Sequence, residues 1–199
     1  MKLLNVGCGS SRPADPSWIN MDTLRACLSP DYRPETVESL RQLNLEHNYL
    51  EHDAHKIPWP FEDCSLDGIL MNHSIEHFDC LEAVKIIKEC RRLLLAGGVL
   101  RIGVPDAAIF RHVNAEDCPE NSMRIFGEPT PPEIADSFLS LALFFWEHKQ
   151  VFSEDSLWCH LRVAGFSDIT RCKYREGQNE LLASIDNRPL FTLFMEARK

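Results

Sequence analysis

The chain has 199 residues, enough for one domain with a sizeable core. Hydrophobic residues make up 44% and charged residues 26%, the mix of a globular protein, and a net charge of −9 disfavours nucleic acid as a partner. No apolar stretch is long enough to span a membrane, and Met1 to Val6 is too short for a signal peptide, so a cytoplasmic chain beginning at Met1 is expected.

In chain order the pattern alternates strands and helices. Leu3 to Val6 is a short apolar strand ended by glycines, Trp18 to Met21 a second strand, and Pro34 to Leu45 a helix with Val37, Leu40 and Leu43 on one side. Tyr49 to His52 and the buried-looking Asp67 to Met71 are the third and fourth strands. Asp79 caps the next helix, with Glu82 where a capping box wants a carboxylate. Leu81, Val84, Ile87, Lys88, Arg91 and Leu94 follow its spacing, and Gly97-Gly98 ends it. Val99 to Val104 is a strand stopped by Pro105. After Pro129-Thr130-Pro131-Pro132 an apolar helix runs from Glu133 to His148. Ser153 caps another helix, with Glu154 and Asp155 in its first turn, ending at Gly165. Phe166 to Cys172 and Leu190 to Ala197 are the last two strands. Such alternation predicts an α/β fold, a mostly parallel seven-stranded sheet with helices on both faces. No repeat or composition shift divides it, so one domain over 1–199 is expected, with 113–150 as a helical insertion before the sixth strand.

Cys8, Cys27, Cys64, Cys80, Cys90, Cys118, Cys159 and Cys172 are scattered without a C-x-x-C pair. They read as reduced, structural thiols, and no metal is expected. His73-Ser74-Ile75-Glu76-His77 fits the H-x-x-E-H zinc-protease pattern, which needs both histidines on one helix face. It directly follows a buried strand, and Glu76 and His77 are read as support for that loop.

The chemistry concentrates at strand ends. Asn5-Val6-Gly7-Cys8-Gly9 follows the first strand, where glycines let the backbone turn sharply against a ligand. A full G-x-G-x-x-G is not met because Arg12 holds the third position, which counts against a nucleotide-dependent oxidoreductase. Asp22 ends the second strand, where a carboxylate can accept from ribose hydroxyls. His148, at the end of the apolar helix, can accept a substrate proton or pair with the helix dipole.

G-C-G, then W-I-N-M-D, then H-D-A-x-x-I-P-W-P-F, then L-D-G-I-L-M-N-H-S-I-E-H, then L-L-L-A-G-G-V-L-R-I-G-V-P-D together resemble the class I methyltransferases of type 11. The chain is especially similar to the short bacterial S-adenosylmethionine-dependent group. The resemblance covers nearly the whole chain, including His148-Lys149-Gln150-Val151-Phe152 and Ala164-Gly165-Phe166. It implies a Rossmann-like sheet of seven strands with the last antiparallel, and S-adenosylmethionine as cofactor. It implies that Asn5, Gly7, Cys8 and Gly9 lie against the methionine part and ribose. Asp22 would bind the ribose hydroxyls, and Asp53 the adenine amino group with the Ala54 amide nearby. Asn72 and His73 would face the methionine moiety and the transfer site. Two departures are an Asn5 where many members carry an acid, and a short link of thirteen positions from Gly9 to Asp22.

The function implied is methyl transfer to a small-molecule or sugar- or lipid-linked acceptor, with His148, His73 and Asp106 as candidate catalytic groups. The alternative is a protein that binds the cofactor without transferring from it. Phe144, Phe145 and Trp146 would wall the acceptor site; packed on the sheet instead, they would be core or a homodimer contact.

Overall fold

The computed structural model describes residues 1–9, 11–23, 48–110, 124–125, 128–129, 148–189 and 191–199. Seven strands form one sheet: β1 (Leu3–Val6), β2 (Trp18–Asp22), β3 (Tyr49–Glu51), β4 (Leu66–Asn72), β5 (Leu94–Pro105), β6 (Asp168–Cys172) and β7 (Thr192–Arg198). Their order across the sheet is β3-β2-β1-β4-β5-β7-β6. β7 runs antiparallel to both its neighbours, and the remaining pairs are parallel. The chain reverses its direction of travel between β1 and β4, so the crevice outside their carboxyl ends is the switch point where such sheets bind ligands.

Neighbouring residues on the central strands point to opposite faces, as a pleated strand requires. Leu4 and Val6 of β1 and Ile69 and Met71 of β4 join the larger core, with Ile86, Ile87 and Cys90 of α1 (Cys80–Leu93) and Leu157 and Leu161 of α3 (Glu154–Val163). Leu3 and Leu70 face the other side and pack with Trp18, Val99 and Leu182 of α4 (Glu180–Ser184). Both faces are thus covered, which explains the nearly continuous apolar runs of β1, β4 and β5. A short helix α2 (Ala107–Phe110) follows β5. Arg124–Ile125 pairs antiparallel with Glu128–Pro129.

The caps form as the sequence predicts. Asp79 accepts from Glu82 N at 2.8 Å, and Glu82 accepts from Asp79 N at 3.0 Å. Ser153 and Ser156 form the second capping box. The buried face of α1 differs from the predicted one: Ala83, Ile86, Ile87, Cys90 and Leu93 are inside, and Leu81 is exposed. The difference is a rotation of the face: Leu81 stands in the first turn, beyond what the sheet covers. α1 also ends earlier than predicted, at Leu93. Leu94 is already extended and pairs with Leu66, so Gly97, at φ +81°, turns within the irregular start of β5 rather than capping the helix. β6 starts at Asp168 rather than Phe166, and α4 was not anticipated. The predicted helix over 34–45, that over 133–148 except for the non-helical His148, and most of the 113–150 insertion lie outside the described residues. Six cysteines are described, and all are free thiols. No helix among the described residues is long and apolar enough to cross a membrane.

Candidate active site

The turn after β1 is shaped by glycine. Gly7 and Gly9 have φ of +66° and +50°, where a side chain is strained. A Cβ on Gly7 would also stand 2.3 Å from Ser74 Oγ, so the turn after β1 and the turn after β4 are in direct contact. The turn is tied to β2 by Gly7 N and Cys8 N, which donate to Met21 O at 2.9 and 3.3 Å. Asn5, buried beneath it, donates to Ser11 O at 2.7 Å and to Asn20 Oδ1 at 3.2 Å. The Asn5 side chain thus holds this loop.

Asp22 is placed by the same network. Its Oδ2 accepts from Gly9 N at 2.8 Å and its Oδ1 from Thr23 N at 2.7 Å. Each carboxylate oxygen has two acceptor directions, so these bonds orient the group and leave capacity for hydroxyl donors. Burial raises the carboxyl above its ordinary range, and the Gly9 and Thr23 amides oppose that rise. Tyr49 Oη donates to Asp22 O at 2.9 Å, joining β3 to the same corner.

Asp53 follows β3. Its Oδ1 accepts from His55 N at 3.0 Å, with His55 Nδ1 2.9 Å away, and the His55 amide holds its carboxyl below the usual range. The loop after it is clamped from α1. Glu89, one helical turn from Arg92 and paired with it at 2.6 Å, accepts from Trp59 N at 2.6 Å. Arg92 donates to the carbonyls of Trp59 and Phe61. Buried Trp59 in turn donates from Nε1 to Ala54 O at 3.1 Å. A buried, ion-paired Glu89 thus fixes where Asp53 and Ala54 sit, a role that the amphipathic pattern of α1 did not disclose.

The turn after β4 carries the remaining candidates. Asn72 lies over Gly103, with Oδ1 2.6 Å from where a Cβ there would be. His73 has φ +50° and its Nε2 lies 3.0 Å from Thr192 Oγ1 on β7. Ile75–His77 is a 3-10 turn, so His73 and His77 do not share a helix face as the zinc-protease pattern requires. Glu76 is fully buried, 3.4 Å from His73 Nδ1 and 3.9 Å from His148 Nε2.

His148 arrives from far along the chain. Lys149 N and Gln150 N donate to Glu76 O at 2.9 and 3.3 Å, and Gln150 Nε2 donates to Phe78 O at 2.9 Å. These bonds dock 148–150 on the 3-10 turn. The His77 and His148 rings meet edge-on at 4.8 Å. Burial pushes the His148 imidazole down to about 4, so it is neutral near pH 7. The histidine of the sequence reading is therefore brought to the end of β4, together with Glu76 and His77, which that reading had only as loop support.

Asp106 is not brought there. Its Oδ1 accepts from Ala108 N at 2.9 Å at the start of α2, and its Oδ2 lies 3.6 Å from Arg171 on β6. It caps the start of α2. Phe144, Phe145 and Trp146 lie outside the described residues.

Residues 4–102, about half of the chain, match the methyltransferase domain family. A probable S-adenosylmethionine-dependent methyltransferase of Mycolicibacterium smegmatis is 29% identical over 112 residues, 54% of this chain and 39% of that protein. The chain thus spans well under half of that relative's length. Among solved structures, a methyltransferase of Thermotoga maritima, described as a possible histamine N-methyltransferase, is 19% identical with a TM-score of 0.55, over 100% of this chain and 82% of that one. A second, from Archaeoglobus fulgidus, is 17% identical with a TM-score of 0.57, over 100% and 86%. The shared fold, the glycine turn joined to Asp22 and the domain match agree: the chain belongs to the class I S-adenosylmethionine-dependent methyltransferases, with S-adenosylmethionine as the cofactor.

Proposed function

We propose that the chain transfers a methyl group from S-adenosylmethionine to a small-molecule acceptor, free or sugar- or lipid-linked, seated beside the turn after β4. One observation carries this reading. Both side-chain polar atoms of Asn72, Nδ1 of His73 and both carboxylate oxygens of Glu76 are buried without a hydrogen-bond partner among the described residues. A buried polar atom without a partner costs about 1–3 kcal/mol, so five of them on one turn point to a place completed by ligands.

The cofactor residues fit the group. Gly7 and Gly9 clear space for it, Asp22 offers oriented acceptor oxygens for the ribose, and Asp53 with Ala54 offers contacts to the adenine. Asn72 and His73 would face the methionine end. When bound, the cofactor supplies an electrophilic methyl on a sulfonium. The chain's task is then to position the acceptor and take its proton. His148 is the proton acceptor in this reading. Its lowered basicity suits a proton that becomes acidic only as the new bond to the acceptor forms.

The test is thermal. A ligand at about a hundred times its Kd stabilises by about 2.7 kcal/mol, a rise in Tm of about 5–10 °C at this size. S-adenosylhomocysteine should give that rise and NAD should not. A rise with NAD alone would favour a dinucleotide enzyme. A rise with S-adenosylhomocysteine, but no product across hydroxyl, amine and carboxylate acceptors, would favour a cofactor-binding protein without transfer.

A further inference from the structure

We propose that Glu76, His77 and His148 form a site for one borderline divalent cation of the zinc or cobalt(II) kind. One donor atom from each of the three lies within 4.8 Å of the others. Glu76 is completely buried, and neither oxygen has a hydrogen-bond partner among the described residues. A carboxylate so placed is costly unless a cation or donor completes it. Among the described residues its ion-pair partners are two histidines, His73 at 3.4 Å and His148 at 3.9 Å, and none is Lys or Arg.

The donor set selects the ion. Two imidazoles and one carboxylate suit zinc, cobalt or nickel, whereas magnesium and calcium want oxygen alone. Three protein donors leave one tetrahedral position open. Bonds of about 2.0–2.1 Å put donors roughly 3.3 Å apart, so these side chains need draw in by at most about 1.5 Å. The backbone already holds them: the 3-10 turn fixes Glu76 and His77, and the bonds from Lys149 and Gln150 to Glu76 O fix the neighbour of His148. His73 stands one layer out, with Nε2 3.0 Å from Thr192 Oγ1 and Nδ1 3.4 Å from Glu76 Oε1, a distance that a small shift on ligation would turn into a supporting hydrogen bond. This set differs from the H-x-x-E-H pattern, because its second histidine comes from the 148–150 segment rather than from the turn itself.

The turn after β4 packs against the turn after β1 where Ser74 meets Gly7, so the cation site borders the cofactor corner. An ion held here takes the His148 lone pair. On the reading that His148 accepts the acceptor's proton, the metal-loaded protein is therefore the switched-off one.

The experiment titrates Co2+ into chelator-stripped protein, followed by visible absorption, with and without saturating S-adenosylhomocysteine. We expect one ion per chain, with d–d bands and no thiolate charge transfer, and displacement by Zn2+. Glu76→Gln and His148→Ala should abolish the bands, His77→Ala should weaken binding, and His73→Ala should cost roughly 10–100-fold. A cooperative urea unfolding transition in each metal-free variant separates loss of the site from loss of the fold. Glu76→Gln is the decisive variant, since it removes a buried charge and keeps the shape. No stoichiometric band in the parent, bands retained in Glu76→Gln, or a thiolate band from the cysteines would overturn the proposal. The metal readouts need no methyl transfer, so they stand whether or not that reading does.

Discussion

Replacing Gly7 by alanine tests the contact that joins the two site-bearing turns. At φ +66° an L side chain costs about 1–2 kcal/mol in backbone strain. The new methyl would lie 2.3 Å from Ser74 Oγ and 2.7 Å from its Cβ, where carbon contacts prefer about 3.5–4.0 Å. Ser74 is buried, so it has little room to withdraw, and overpacking of this kind costs about 1–3 kcal/mol. Gly7→Ala should therefore lose about 2–5 kcal/mol. Ser74→Gly removes both offending atoms and leaves Cα at 3.8 Å, an ordinary contact. In the double variant only the backbone term should persist. Urea unfolding of the parent, both single variants and the double should give a coupling energy of about 1–3 kcal/mol in favour of the pair. Additive losses, or a Gly7→Ala variant within about 0.5 kcal/mol of the parent, would refute the contact.

Asp22→Ala should keep the fold and weaken S-adenosylhomocysteine by about 1–3 kcal/mol, read by calorimetry; unchanged affinity would make Asp22 a structural corner only. Acidification should destabilise the protein through His148. Its pKa falls from 6.5 unfolded to about 4 folded, so between those values the unfolded chain takes up a proton that the fold refuses. Stability is then lost as pH drops through that window, by up to about 3 kcal/mol, and His148→Gln should flatten the profile measured by urea unfolding. Arg101→Met should cost about 3–5 kcal/mol, because fully buried Asp186 and Glu196 both lose their guanidinium partner, at 2.5 and 2.9 Å. A loss under about 1 kcal/mol in its chemical denaturation would show that water replaces the arginine.

The sheet was legible because each central strand carries its own signal, an apolar run bounded by Gly, Pro or a charged turn. The capping boxes were legible for a similar reason, being written within a few neighbouring residues. The misread elements are those set by distant partners. Leu81 fits the helical spacing of α1 as well as Ile86 does, and only the position of the sheet beneath decides which is buried. Leu94 and Leu95 look like a continuing helix until Leu66 pairs with Leu94. Asp106 sits at the ligand end of β5, where a catalytic acid is expected, yet the α2 amide and Arg171 engage it.

The same reasoning explains why the site was only half visible. Gly7, Gly9, Asp22 and Asp53 stand at strand ends in fixed order, so topology alone groups them. Glu76 and His77 carry no such mark, because a carboxylate and an imidazole in a loop are ordinary in any sequence. Their meaning depends on burial, and burial depends on 148–150 docking over them through two backbone bonds to Glu76 O. A solvated Glu76 would be unremarked; a buried one without a hydrogen-bond partner among the described residues is a place where stability has been given up. The conservative change Glu76→Gln should recover some of it: removal of an uncompensated buried charge should raise the urea midpoint of the ligand-free protein. A lowered midpoint in metal-free buffer would mean that Glu76 is held by its histidine neighbours as an ion pair, and that the turn after β4 is a structural lock rather than a site.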